Sequence, residues 1–155
     1  MIKKIVNLNF LKQKIKKLKL NKKKIILCHG VFDLLHAGHI MHFQESKNLG
    51  DVLIVSLTPD RFVLKGPNRP IMNLKERMEV IYQLECVDYV VENFKSDASS
   101  IINDIQPDVY SKGSDYKKNK DDYTGKIMDE KKSIQKVGGK IYYTKSKLFS
   151  SSKII

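Results

Sequence analysis

Cysteine is scarce in this chain of 155 residues, which has only Cys28 and Cys86. The two are far apart and form no CxxC motif, so the sequence excludes a disulfide framework and predicts a protein of the reducing cytoplasm. No apolar run approaches the length of a membrane-spanning helix, and we expect no membrane span. The length fits a single domain with a real hydrophobic core.

Acidic residues are absent before Asp33, whereas ten lysines fall between Lys3 and Lys24. The net charge of +12 is concentrated in this stretch, because the remainder of the chain is nearly balanced. Lysine without arginine forks or interleaved aromatic residues is weak support for nucleic-acid binding, so we favour a solvated helix face and expect no nucleic-acid partner. A non-catalytic basic module that binds nucleotide or nucleic acid stays open as an alternative, since such a surface attracts polyanions.

Apolar segments of strand length alternate with segments of helix length along the whole chain. The pattern predicts an α/β fold, a Rossmann-like doubly wound parallel five-stranded sheet with helices on both faces. A lysine-rich helix, capped by Asn9 and ending at about residue 19, precedes a core of residues 24–155, and no internal domain boundary is visible. The predicted strands are 24–29, 51–58, 87–91, 107–113 and 140–144, and the further predicted helices are 38–50, 73–85, 96–105 and a segment ending at 137.

The stretch HGVFDLLHAGH, residues 29–39, spans the end of the first predicted strand and the start of the next helix. Ligands of doubly wound sheets bind at this edge, where Gly30 and Gly38 let the backbone approach and a helix N-terminus favours anions. His36 and His39 could donate hydrogen bonds to phosphoryl oxygens while charge builds in a transition state. The alternative is a metal-binding regulatory domain that uses the four histidines, although the sequence offers no convincing tetrahedral set.

The motif GVFDLLHAGH resembles the signature of the cytidylyltransferase-like nucleotidyltransferases, G-T/C/V-F-D-x-x-H-x-G-H. Three further stretches, GPNRPIMNLKERMEVIYQLECVDYVV, KGSDY and FSSSKII, are similar to the adenylyltransferase half of bifunctional ADP-heptose synthases and, more distantly, to glycerol-3-phosphate cytidylyltransferase. Four motifs in the family's order make the resemblance specific. It implies an enzyme in which a substrate phosphate attacks the α-phosphorus of a nucleoside triphosphate, giving an NDP-linked product and pyrophosphate.

The resemblance also implies roles for individual residues. His36 and His39 would stabilise the α-phosphate in the transition state, and Lys65 would reach the triphosphate or the incoming phosphate. The substrate-binding residues would be Asp33, Arg69 and Arg77. The nucleotide would be held by Gly30, Val31, Phe32, Gly38, Lys112, Gly113, Asp115, Ser150, Ser151 and Ser152.

Structural roles remain open for several of these residues. Phe32 and Asp33 are expected to shape the turn, and Lys65 has the alternative of a solvated loop lysine. Arg77 has the alternative of a surface ion pair, and the serines that of ordinary helix N-caps. The loop 61–70, with its glycine and prolines, is predicted to be a mobile lid over the triphosphate.

The resemblance implies Mg²⁺ as the cofactor, bound mainly by phosphate oxygens, and no protein metal ligand is predicted. ATP and CTP are both open as nucleotide donors, and a sugar phosphate or polyol phosphate as acceptor, in a role in cell-surface glycan synthesis. The expected partners include a second copy in a homodimer and a fused or separate sugar kinase. We also expect a longer native chain, because FSSSKII stops where a helix should begin.

Overall fold

The computed structural model describes residues 4–114 and 126–146. Strands and helices alternate as the sequence pattern predicts. None of the helices in these ranges is long and apolar enough to cross a membrane. The elements in chain order are α1 Leu8–Leu20, β1 Ile25–Gly30, α2 Ala37–Lys47, β2 Val52–Leu57, a 3₁₀ turn Asp60–Phe62, α3 Leu74–Tyr82, β3 Tyr89–Glu92, α4 Ser99–Ile105, β4 Val109–Lys112, α5 Ile127–Lys136 and β5 Lys140–Tyr143.

The five strands form one parallel sheet in the order β3-β2-β1-β4-β5. The chain runs outward from β1 through β2 to β3 and then returns to the other side of β1. The predicted doubly wound parallel sheet is therefore confirmed, with its switch point between β1 and β4. In sheets of this topology the carboxyl ends of the two strands at the switch point open a crevice for a ligand.

The central strand β1 is buried on both faces, which explains its unbroken apolar sequence. Ile25 and Leu27 join one apolar cluster with side chains of α1, α4 and α5, whereas Ile26 and Cys28 join a second cluster with Phe43 of α2. Burial of each large apolar side chain contributes about 1.5–3 kcal/mol. The helices therefore cover both faces and leave the carboxyl edge of the sheet open for chemistry.

The caps of α1 and α3 test the predicted helix starts. Asn7 caps α1, because its side chain accepts a backbone N–H of the first turn at 2.8 Å, so the predicted cap at Asn9 is wrong. Two nearby asparagines satisfy the same local pattern, and the helix begins at Leu8, directly after the first of them. Asn73 caps α3 as predicted, by accepting the N–H of Glu76 at 3.0 Å.

Candidate functional site

The turn between β1 and α2, residues 31–36, is built around two residues with left-handed backbone. Phe32 and Leu34 have φ angles of 52° and 51°, which are uncommon for residues with a side chain. The ring of Phe32 lies over Gly30, where a Cβ atom would come within 2.9 Å of the ring atom Cζ. A side chain at position 30 would therefore force the ring of Phe32 to move. Strained turns of this kind cluster at functional sites.

His36 and His39 lie at the start of α2, where their rings stack with centroids 3.9 Å apart and planes within 23°. The backbone N–H of His36 donates to Nδ1 of His39 at 3.3 Å, so the proton of the neutral His39 ring is on Nε2. Gly38 is buried in the same turn. The pair thus stands at the N-terminus of an 11-residue helix, where unpaired N–H groups and the helix dipole favour an anion.

Burial and a nearby cation keep both imidazoles neutral at pH 7. Burial lowers the pKa of His39 to about 3, with smaller contributions from His36 and Lys65. Burial and then the charge of Lys65 lower the pKa of His36 below its ordinary 6.5. Lys65 comes from the segment between β2 and α3, so the fold brings the three predicted catalytic side chains into one electrostatic neighbourhood. Imidazole N–H groups beside an ammonium suit the negative charge that develops in phosphoryl transfer.

Asp33, predicted to bind substrate, is fully buried and accepts three hydrogen bonds from one segment. Its donors are Nε of Arg69 at 2.9 Å and the backbone N–H groups of Ile71 and Met72 at 2.9 and 3.0 Å. Burial alone would raise the pKa of Asp33, but these bonds and the charge of Arg69 lower it below 3.8. Arg69, also predicted to bind substrate, is itself almost wholly buried in this ion pair.

Arg77 is the third predicted substrate-binding residue, and its side chain is fully buried beneath the turn. Its guanidinium donates to the carbonyl of Val31 at 2.6 Å, to the carboxylate of Asp60 at 2.6 Å and to the carbonyl of Met72 at 3.0 Å. The ion pair considered for Arg77 is therefore present, with the arginine inside the protein rather than at its surface. Contact of Asp33, Arg69 or Arg77 with substrate stays a prediction.

Lys112 lies at the carboxyl end of β4, across the switch point from the histidines, and Gly113 follows it. The Lys112 side chain is nearly buried, with Nζ 3.6 Å from Oε2 of Glu130 and 5.4 Å from the ring centroid of Tyr110. The two lysines act on different histidines, because Lys65 lowers the pKa values of His36 and His39, and Lys112 lowers those of His29 and His42. The predicted nucleotide-binding residues Asp115, Ser150, Ser151 and Ser152 lie outside the described residues.

Sequence reasoning missed the two hydroxyls that hold His29 at the end of β1. Nδ1 of His29 is 2.7 Å from Oγ of Ser56, and its Nε2 is 3.3 Å from Oγ1 of Thr58. Burial and then the charge of Lys112 lower the pKa of His29 to about 3. A signal was available, because Ser56 and Thr58 are the polar residues at the end of an apolar strand and Ser56 is the parallel partner of His29.

His42, one turn after His39, has a structural contact that its position in the sequence does not reveal. Its Nδ1 is 2.8 Å from Oγ1 of Thr144, which also contacts the carbonyl of Lys112 at 3.3 Å. Burial, with the charge of Lys112, lowers the pKa of His42 to about 4. Thr144 follows β5 and lies 102 residues from His42, a separation across which no local pattern predicts contact.

The donor set at the site fits a triphosphate better than a bare cation. Among residues 4–114 and 126–146, no three histidine, cysteine or acidic side chains are grouped so that they could hold a metal ion. The turn 31–36 and the first residues of α2 through His39, here named the histidine turn, present imidazoles, a helix N-terminus and, from the segment after β2, an ammonium. Such groups bind phosphate oxygens, and the phosphates themselves are the preferred ligands of Mg²⁺.

Comparison with curated sequences gives relatives that include bifunctional HldE proteins of several bacteria. The bifunctional protein HldE of Methylobacillus flagellatus is 40% identical over 115 residues, which are 73% of this chain and 24% of that protein. The HldE of Helicobacter pylori strain G27 is 45% identical over 98 residues, or 62% of this chain and 21% of that protein. The chain thus spans about a quarter of the length of the curated relatives it matches. The resemblance to bifunctional ADP-heptose synthase is confirmed by these matches.

Two solved structures share the fold. A lipopolysaccharide core biosynthesis protein from Thermoplasma volcanium superposes with a TM-score of 0.64 at 26% identity, covering 83% of this chain and 99% of that one. Pantoate-beta-alanine ligase from Francisella tularensis, in a complex with beta-gamma ATP and beta-alanine, also reaches 0.64 at 17% identity, covering 96% of this chain and 68% of that one. The second likeness is one of fold alone.

The sequence model of the cytidylyltransferase-like family matches residues 27–155, which include the whole of β1 except its first two residues and every later element of the sheet. The match covers both the histidine turn and the end of β4. It agrees with the motifs from which the family was predicted. The chain therefore belongs to the cytidylyltransferase-like family and is a nucleotidyltransferase.

Proposed function

We propose that this enzyme transfers a nucleotidyl group from ATP or CTP to a sugar phosphate or polyol phosphate, with release of pyrophosphate. The observation that carries the proposal is the stacked pair of His36 and His39 at the N-terminus of α2, within the field of Lys65. This arrangement concentrates hydrogen-bond donors and positive charge where a phosphoryl group gains negative charge. Phosphoryl transfer needs mainly positioning and charge stabilisation from a protein, and little covalent chemistry.

In the proposed reaction, an oxygen of the acceptor phosphate forms a bond to the α-phosphorus of the nucleotide. The bond between that phosphorus and the oxygen bridging to the β-phosphorus breaks, and pyrophosphate leaves with the electron pair. His39 donates from Nε2–H to an oxygen of the α-phosphoryl group, since its Nδ1 is already used by the backbone N–H of His36. Lys65 offsets the charge of the triphosphate.

Mg²⁺ is proposed to enter on the triphosphate rather than on protein ligands. When bound, it would neutralise part of the phosphate charge. The histidine turn then needs no carboxylate directed at the nucleotide, and Asp33, the carboxylate of that turn, is occupied by Arg69 and two backbone N–H groups.

Support for a sugar phosphate acceptor comes from the relatives' names. One structural relative is a lipopolysaccharide core biosynthesis protein, and the curated relatives are bifunctional proteins of which this chain matches only part. We therefore propose a role in cell-surface glycan synthesis, and a fused or separate sugar kinase that makes the acceptor phosphate. A homodimer is proposed as the assembly, and measurement of the molar mass in solution tests that part directly.

A screen for pyrophosphate release tests the proposed function. The enzyme is incubated with Mg²⁺ and either ATP or CTP, against a panel of sugar 1-phosphates and polyol phosphates. We expect release with one nucleotide and a small set of acceptors, and no release without acceptor. Absence of acceptor-dependent release across both nucleotides and the whole panel would leave the proposed acceptor class without support.

A further inference from the structure

Residues 60–72, here named the Lys65 segment, connect β2 to α3 and carry Lys65 toward the histidine turn. The segment begins with the 3₁₀ turn and ends just before the cap of α3. Two buried charged side chains outside it, Asp33 and Arg77, hold it against the histidine turn. They were predicted to contact substrate, and their hydrogen bonds point to another task.

Asp33 fixes the end of the Lys65 segment. All three of the hydrogen bonds described for its carboxylate come from Arg69, Ile71 and Met72, at 2.9 to 3.0 Å. Asp33 itself lies between the two left-handed residues of the histidine turn. A shift of the carboxylate would therefore move the turn and the segment together.

Arg77 joins the two ends of the segment to the same turn. One guanidinium nitrogen donates to Val31 in the histidine turn, a second to Asp60 at the start of the segment, and the third to Met72 at its end. A planar fork with fixed donor directions can hold three acceptors in one geometry, which a lysine cannot do. Burial of this charge is costly unless such bonds compensate it.

Lys65 lies in the middle of the segment, next to an exposed leucine. Leu64 is 64% exposed, and a Cβ atom at Gly66, whose φ is 102°, would meet no other part of the described residues within 4 Å. Because hydrogen bonds fix the two ends of the segment, they limit the region that the ammonium of Lys65 can reach. The charge of Lys65 is nevertheless felt by both histidines, whose pKa values it helps to lower.

We propose that Asp33 and Arg77 are positioning residues that set Lys65 opposite the histidine pair, rather than groups that contact substrate. The proposal rests on the proposed function for its kinetic part, since Lys65 acts on the nucleotide there. The buried hydrogen bonds of Asp33 and Arg77 act through the Lys65 segment. Their contribution to turnover should therefore vanish when Lys65 is absent.

A double-mutant cycle tests this dependence. Asp33→Asn keeps the size of the side chain but removes its charge, and Arg77→Lys keeps the charge but removes the fork. Each should lower kcat for pyrophosphate release by about 10-fold, with a smaller change in KM. In a Lys65→Ala background, each of the same substitutions should lower kcat by a further factor of less than about 2. Multiplicative effects, with the full loss repeated in the Lys65→Ala background, would overturn the proposal.

A second measurement needs no activity and separates this proposal from the proposed function. The pKa of His36 and His39 is followed by NMR in the folded protein. Lys65→Ala should raise both values, Arg77→Lys, which keeps its charge, should raise them in the same direction, and the double variant should rise no further than Lys65→Ala alone. Unchanged histidine pKa values in folded Arg77→Lys would contradict the positioning role, whatever the pyrophosphate screen gives.

Asp88→Asn is the matched control. Asp88 likewise accepts a backbone N–H, that of Leu53 at 2.7 Å, and pairs with Lys47, but it lies at the amino edge of the sheet. This variant should lose stability without moving the histidine pKa values or the ratio of kcat to KM. If it moves the histidine pKa values as Arg77→Lys does, or kcat as Asp33→Asn does, the effect is one of general destabilisation and the positioning role is contradicted.

Discussion

The imidazole rings of His36 and His39 are stacked, with centroids 3.9 Å apart. Two charged rings would repel at this distance, and the lowered pKa of each agrees with a neutral pair. The backbone N–H of His36 occupies Nδ1 of His39 and leaves Nε2–H as the donor. One helix turn therefore both organises the cap of α2 and leaves Nε2–H of His39 as the donor for the proposed contact with nucleotide.

Substitutions at position 39 can separate these two tasks. Asparagine offers an oxygen near the place of Nδ1 but no donor near Nε2, whereas glutamine reaches the place of Nε2. We expect His39→Asn to lower kcat by about 10²-fold or more, with little change in nucleotide affinity, and His39→Gln to keep more activity. Steady-state kinetics and nucleotide titration measure both quantities.

His42→Asn serves as the control for these variants, because asparagine can keep the contact that Nδ1 of His42 makes with Thr144. It should change kcat by less than about 3-fold. Equal turnover of wild type, His39→Asn and His36→Ala would remove the histidine pair from the mechanism.

The sheet was predictable from the sequence because its strands are continuous apolar runs, such as the buried Val52–Leu57. The histidine turn was predictable because its residues are adjacent. The hydrogen bonds of Asp33 and Arg77 were not predictable, because their partners lie up to 46 residues away and a buried guanidinium has no local sequence signature. The cap of α1 was misplaced by two residues because Asn7 and Asn9 fit the local pattern equally well.

Acid should destabilise the fold through one buried and two half-buried histidines. Burial lowers the pKa of His29 and His39 to about 3 and that of His42 to about 4, from 6.5. The unfolded chain takes up these protons as the pH falls through 6.5, while the folded chain does not. Stability is therefore complete above pH 6.5 and is lost as the pH falls toward 4, by up to about 1.4 kcal/mol per pH unit for each histidine.

Urea unfolding at pH 7.5, 6 and 5 measures this loss, and the carboxylate of Asp33 stays ionised throughout because its pKa is below 3.8. His29→Asn should reduce the slope of stability against pH by about a third, since one of the three most strongly depressed groups is gone. A free energy of unfolding that does not change between pH 7.5 and 5 would contradict the neutral burial of these rings.

The buried carboxylate of Glu130, which pairs with Lys112, allows a second test of how buried charges affect stability. Its carboxylate accepts the N–H of Ala98 at 3.0 Å and the hydroxyl of Tyr110 at 2.8 Å. Glu130→Ala deprives several buried groups of this partner and should cost roughly 3–5 kcal/mol in unfolding free energy. Tyr110→Phe removes one hydrogen bond and should cost about 1 kcal/mol. Equal unfolding midpoints for wild type and Glu130→Ala would show that the carboxylate adds no net stability.

The open middle of the Lys65 segment should be a site of proteolysis that nucleotide protects. We expect trypsin to cleave after Lys65 in the free enzyme, because Leu64 is exposed and a Cβ atom at Gly66 would meet no other part of the described chain within 4 Å. ATP or CTP with Mg²⁺ should slow this cut. Mass spectrometry identifies the bond, and cleavage after the exposed Lys23, in the turn before β1, is the internal control.

A cut after Lys65 that nucleotide leaves unchanged, while the enzyme is shown to bind that nucleotide, would count against a lid at this position. If nucleotide slowed cleavage after Lys23 to the same degree, the effect would be a general stabilisation of the fold rather than a contact at the Lys65 segment.

Phosphorus NMR of the products tests the central claim most directly, with the enzyme, Mg²⁺, the nucleotide and the acceptor from the screen. Transfer to the acceptor phosphate predicts a new pair of coupled diphosphate resonances and an equal amount of pyrophosphate, both formed about 10²-fold more slowly by His39→Asn. Nucleoside monophosphate with pyrophosphate and no linked product would mean hydrolysis, and would contradict nucleotidyl transfer to a phosphate acceptor at the histidine turn.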